Sequence, residues 1–272
     1  MQTLNLNMCG QGQKDVSLDQ VFGVNLPAKT DSYQPVSHKL VLTEVKKHLQ
    51  DNGFSIENEK HHLARFGLRY FGLMQVQDLE APEDPDRATV VGVRNSYDKS
   101  FPAGLMCGDA PFVCSNLIFS NEIVLSRRHT SKILDKNVAG NIFMKIAEAV
   151  GLLREKWQSQ AERVDAYKKC DVSPMQAHDL ILRVAKDKGC SKSKILDVRN
   201  HWEDPFHPEF NDRNLYSLYN SFSEFNKQNL NELQARTSVI HGIFDAVAEQ
   251  AKQKAAEAAQ VIDIESELVG IS

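Results

Sequence analysis

Long apolar runs are missing from this 272-residue chain: none approaches the ~20 residues that span a bilayer, so no membrane segment is expected. The opening, MQTLNLNMCGQGQKD, lacks both a basic and an apolar stretch, which argues against a secretory signal and for a cytoplasmic protein. Cysteine is scarce: five residues, at 9, 107, 114, 170 and 190. Zinc sites favour cysteine pairs about two to four residues apart, and no such pair exists, so reduced and buried thiols are expected. A strong charge of one sign is absent too. The net charge of -4 excludes wholesale coating of nucleic acid while leaving room for a local basic groove. No glycine-rich nucleotide loop, metal-ligand string or nucleophile signature is present, so no cofactor, no metal and no catalytic residue are expected.

What is present is enough apolar residue, 42%, for a proper core. Residues 1–35 are polar, carry Gly10, Gly12, Pro27 and Pro35, and read as a loosely held leader. Ser37 caps an expected helix with Leu40, Val41, Val45 and Leu49 on its apolar side and Asn52-Gly53 as its stop. The period then changes to two. Strands begin at Phe54, and 65–76 alternates, with Phe66, Leu68, Tyr70, Met74 and Val76 facing one way, Arg65, Arg69 and Phe71 the other, and Gly72 as a bulge. More short strands follow to about residue 136. Beyond it the chain reads helical: one long amphipathic helix over 142–164, a capped start at Ser173-Pro174 with its exit at Gly189, a helix after Asn211-Asp212, and a last helix from Asn231 to Ala258. The alternating run Val261-Ile262-Asp263-Ile264 reads as an edge strand in a loose tail. The expected fold is α+β: an antiparallel core over 36–136 with a flanking helix, a helical region over 137–262 packed on it, and a tail at 263–272.

Polar clusters stand between the apolar runs of 90–130. Asn95-Ser96-Tyr97-Asp98 either closes a turn through its own side chains or holds a ligand. Cys114 and Asn116 carry the same two readings. Arg127-Arg128-His129 is the densest cation cluster, suited to phosphate or else a solvated corner. Arg65, Arg69 and Phe71 on one strand face match the cation-plus-aromatic pattern that binds single strands. His201, Glu203, Asp204 and His207 are four metal-capable residues in one stretch, but Pro205 and Pro208 mark it as a rigid connector. No helix offers itself for insertion into a groove.

The segments VRNSYDKSFPAGLMCG, PFVCSNLIFS, SRRHT, LYNSFSEFNK and RTSVIHGIFD resemble the uncharacterised family of phage- and plasmid-encoded proteins known as phage/plasmid-like proteins, over residues 36–245. The resemblance implies a role on mobile elements, where DNA recombination, replication and counter-defence concentrate. The helix–sheet–helix order is similar in outline to single-strand annealing proteins, an analogy of topology that does not fix function. The leading expectation is a non-catalytic binder of single-stranded DNA, working as a homo-oligomer in annealing or recombination. Arg65, Arg69, Arg127, Arg128 and His129 would meet phosphates, and Phe71 would stack a base. The alternatives are an interaction protein acting on a host enzyme, or an enzyme joining Asp98, Cys114 and His129.

Overall fold

The computed structural model describes residues 15–31, 33–81, 87–111, 118–126, 138–226 and 230–269. The architecture is α+β, with the sheet in the N-terminal half and helices in the C-terminal half. The chain divides into two compact units, residues 1–160 with 226–234, and residues 161–225 with 235–272.

The first helix among the described residues of unit 1 is short, α1 (Leu18–Phe22), whose Ser17 and Gln20 form a capping box and whose Val21 is buried. This part of the expected leader is therefore seated on the core. Helix α2 (His38–Asp51) starts where Ser37 accepts from the Leu40 amide and ends at Asn52, and it buries Val41, Leu42, Val45 and Leu49. Five antiparallel strands follow in sequence order: β1 (Phe54–Ala64), β2 (Arg69–Asp78), β3 (Arg87–Ser96), β4 (Ala103–Pro111) and β5 (Ile118–Ser126). Helix α3 (Val138–Gly151) contributes Ile142, Ile146 and Val150 to the core that α2 forms with Tyr70, Met74, Val91, Val93 and Leu105. Each such fully buried aliphatic side chain contributes roughly 1.5–3 kcal/mol.

Two sequence expectations change here. The alternating run of 65–76 is not one strand, because a turn at Arg65–Leu68 separates β1 from β2. Gly72 is not a bulge, since the β1–β2 register runs unbroken through it and shifts instead between Ile56 and Asn58. The absence of a side chain at Gly72 has another cause: the Tyr70 hydroxyl lies where its Cβ would be. There Tyr70 meets Nδ1 of His61 at 3.1 Å.

The helix expected over 142–164 breaks after Gly151, and α4 (Leu153–Lys168) continues the chain into unit 2. In unit 2, α5 (Pro174–Lys186) has the expected Ser173 capping box and first-turn proline. A single 3₁₀ turn (Lys192–Lys194) leads into α6 (Ile195–Glu203). Helix α7 (Leu215–Asn226) follows Asn211-Asp212 as expected, and Asn214 caps it by accepting from the Ser217 amide at 2.9 Å. Helix α8 (Leu230–Val269) carries the backbone of 261–264 in helix, not in an edge strand. Tyr167, Trp202, Phe222 and Phe244 are the large buried side chains of this unit. The Tyr216, Tyr219 and Phe222 stripe of α7 packs inward, with Tyr219 stacked on His241 of α8.

Candidate nucleic-acid interface

Two turns lie side by side at one end of the sheet. Leu68 donates its amide to the Arg65 carbonyl at 3.1 Å, closing the β1–β2 turn, and the Tyr97 amide at the start of the β3–β4 turn reaches the Leu68 carbonyl at 2.7 Å. Arg65, Phe66 and Gly67 all have positive φ, of 53°, 58° and 86°. Left-handed backbone costs a residue with a Cβ roughly 1–2 kcal/mol. Here it turns Phe66 wholly outward, with a relative exposure of 105%. Arg65 is exposed beside it. In the neighbouring turn Lys99 is also left-handed, with φ 60°, and its ammonium sits 4.4 Å from the centre of the Tyr33 ring.

Beneath the tips is a buried polar network. The Asn95 side-chain amide donates to the Val36 carbonyl at 2.9 Å and to Nδ1 of His38 at 3.0 Å. His38 therefore carries its proton on Nε2, which donates to the Gly67 carbonyl at 2.9 Å. The His38 ring stacks flat on Tyr97 at 3.9 Å between centroids, and the His38 amide donates to the Tyr97 hydroxyl at 2.9 Å. Tyr33 donates to the Tyr97 carbonyl at 2.8 Å, and Ser96 donates to the Phe101 carbonyl at 2.6 Å. Asp98 accepts from the Ser100 amide at 3.0 Å and pairs with Arg69 at 2.6 Å. Partial burial works to raise the Asp98 pKa, but the hydrogen bonds from Ser100 and Arg69 outweigh it and hold the carboxyl below its ordinary range. Asn95, Ser96 and Asp98 thus join the two turns to each other and to α2.

The sequence-derived residues divide unevenly over this end of the sheet. Arg65 is exposed at the tip, whereas Arg69 is half-buried and committed to Asp98. Phe71, the residue expected to stack a base, is only 6% exposed and packs on Phe101 at 5.0 Å. The expectation that it faces outward is corrected, because residues on both faces of β2 are buried from Tyr70 to Val76. Lys46 and Lys60, two further cations near this strand, are neutralised by Glu59 and Asp15, each at 2.6 Å. Cys114, Asn116, Arg127, Arg128 and His129 lie outside the described residues. Ser126, the last described residue before the arginines, pairs with Ala103, so β5 ends at the same edge of the sheet as the two turns. Sequence reading misses Phe66 and its conformation. The only local signal is a Phe-Gly step between two strand-like runs.

Among the described residues no three His, Cys, Asp or Glu side chains converge as metal ligands. His201 meets the Ser221 hydroxyl at 3.0 Å and packs against Phe206, and Glu203 pairs with Arg199 and His178. Cys107, Cys170 and Cys190 are buried, and burial pushes the Cys190 thiol up to about 11. No described helix is long and apolar enough to cross a membrane. Comparison with known proteins finds no matching curated protein and no matching solved structure. Residues 25–263 match one family over most of the chain, and the protein belongs to it: the family described as Domain of unknown function, DUF932.

Proposed function

We propose that this is a non-catalytic protein of phage or plasmid DNA metabolism that binds single-stranded DNA at the paired-turn end of its sheet, in support of annealing or recombination. The observation that carries the reading is Phe66: a fully exposed aromatic on strained backbone, flanked by Arg65 and with Lys99 on the adjoining turn. Single strands are held by cations that follow phosphates and aromatics that stack bases. Phe66 takes the stacking role, and Arg65 and Lys99 take phosphates. Arg127, Arg128 and His129, next in the chain after β5, are assigned phosphate contacts on sequence grounds. The mobile-element setting rests on the resemblance to phage- and plasmid-encoded proteins.

The test is anisotropy of a labelled oligothymidylate at two salt concentrations. Phe66→Ala should cost about 1–3 kcal/mol of binding, and Arg65→Ala should flatten the log–log salt slope by ~0.7. Replacing Arg127 and Arg128 together should weaken binding to all sequences alike. Wild-type protein with no salt-dependent binding at micromolar concentration would move a host-protein partner to first place. That second reading draws on the same exposed tip, where Phe66 and Leu68 together offer an apolar surface, and on the acidic net charge.

A further inference from the structure

The fourth non-glycine residue with left-handed backbone lies in unit 2, and it too is a cation: Lys188, with φ 67°. It follows α5 at the position where a helix end favours glycine. The Gly189 amide reaches back to the Val184 carbonyl at 2.8 Å and the Lys188 amide to the Ala185 carbonyl at 3.2 Å, the paired bonds of a Schellman ending. Gly189 is needed for a different reason. A Cβ there would come within 2.6 Å of Val184 and 3.0 Å of Val239, so the turn is seated tightly on α8. Five residues, 187–191, then separate α5 from the 3₁₀ turn that runs straight into α6. The connection from α5 to α6 is thus eight residues, 187–194, opening on the glycine-bearing helix ending and closing on the 3₁₀ turn.

Its surface is basic in an acidic protein. Between residues 183 and 199 stand six cations, Arg183, Lys186, Lys188, Lys192, Lys194 and Arg199, against Asp187 and Asp197. Lys194 is paired with Asp197 and Arg199 with Glu203, each at 2.9 Å. The other four cations are exposed and have no carboxylate partner among the described residues. On α6, Leu196, Arg199 and Asn200 share one exposed face at the i, i+3, i+4 spacing.

We propose that α5, its turn and α6 form a second nucleic-acid site, one that takes duplex DNA. Lys186, Lys188 and Lys192 clamp backbone phosphates, and the exposed face of α6 lies toward the groove between them. Duplex DNA is favoured over a single strand because the surface has cations without a stacking aromatic and presents one short helix. Asn200 is suited to adenine and Leu196 to a thymine methyl. Glu203, bound to Arg199, is a carboxylate at the end of that face and limits how much of α6 can approach. This inference is independent of the single-strand reading, since no residue is shared.

The experiment titrates the full chain against a labelled duplex and against a single strand of equal length, at several salt concentrations. The variant Lys186→Gln/Lys188→Gly/Lys192→Gln keeps its fold, because glycine relieves the backbone at 188 and the other two positions are exposed. Duplex affinity should fall at least about tenfold, with the salt slope shallower by ~0.9 for each phosphate no longer neutralised, while single-strand affinity holds. Asn200→Ala should reduce the preference among duplex sequences more than the mean affinity. Duplex binding by the triple variant equal to wild type would overturn the proposal. So would a wild-type protein that ignores duplex DNA, or an equal drop in duplex and single-strand binding. Phe66→Ala reads the other proposal separately: its failure to affect single strands leaves the duplex site untouched.

Discussion

In unit 1 the left-handed residues stand on side chains: the Gly67 carbonyl is held by His38, His38 by Asn95, and the adjoining turn by Tyr33 and Tyr97. In unit 2 Lys188 stands on backbone alone, on two amide bonds and a glycine pressed against α8. The difference teaches how each turn will fail. A network of buried polar groups is costly to leave half satisfied, so unit 1 should respond to losses far from its surface. A helix ending has no such depth and should respond only to changes in the turn itself.

The largest effect expected is at Gly72. Alanine there overlaps the hydroxyl of Tyr70, which is fully buried and cannot swing away, and unit 1 should lose about 2–4 kcal/mol in urea unfolding. Asn95→Ala comes next, at about 1–3 kcal/mol, by leaving Nδ1 of His38 and the Val36 carbonyl short of a donor. Hydrogen exchange should quicken in both turns of unit 1 and leave 187–191 unchanged; equal quickening in unit 2 would break the contrast. Acid should act on both units. Burial lowers the His241 pKa to about 3 from an ordinary 6.5. Its neutral form is therefore favoured by folding, and that contribution is complete above pH 6.5 and drains as pH falls toward 3. In unit 1 burial, the largest influence, also lowers the His61 pKa against the opposing pull of Glu59, so this unit too loses stability as pH falls below the ordinary histidine value. Depressed Asp98, with Asp78 held down first by its bond to Arg154, adds to the loss below the ordinary carboxylate range. NMR titration should find His241 still neutral at mildly acidic pH, and both units should weaken as pH falls below the ordinary histidine value; early protonation of His241 would refute its share of that loss. The smallest effects carry the opposite sign. Lys99→Gly and Lys188→Gly should each raise stability by about 1 kcal/mol, and a decrease at either would mean its side chain anchors the fold.

Much of the fold is legible in the sequence. Ser37, Asn52-Gly53 and the Ser173-Pro174-Met175-Gln176 box sit at real helix ends, because capping depends on residues adjacent in the chain. The α+β division follows from a change of period. Sequence reading fails where local pattern and tertiary burial part company. Period-two counting runs through Arg65–Leu68 because Phe and Leu suit a strand, and nothing but Gly67 signals left-handed backbone. It gives β2 an outer face carrying Phe71, whereas both faces are covered. Four alternating residues at 261–264 look like a strand, but they continue a helix rich in alanine, the best helix former. Gly189 signals the exit of α5 correctly. The turn beyond it gives no local sign of the docking role proposed for it, since its cations are spaced along the chain.

Lys188, Lys99, Arg65 and Phe66 also set a trap for anyone engineering this protein. Each occupies backbone that glycine would adopt more readily, so a search guided by melting temperature alone would choose these four positions early. The result would be a sturdier molecule stripped of the groups to which ligand binding is assigned in the two proposals. Heat resistance and activity should therefore be selected together in any library that touches these turns.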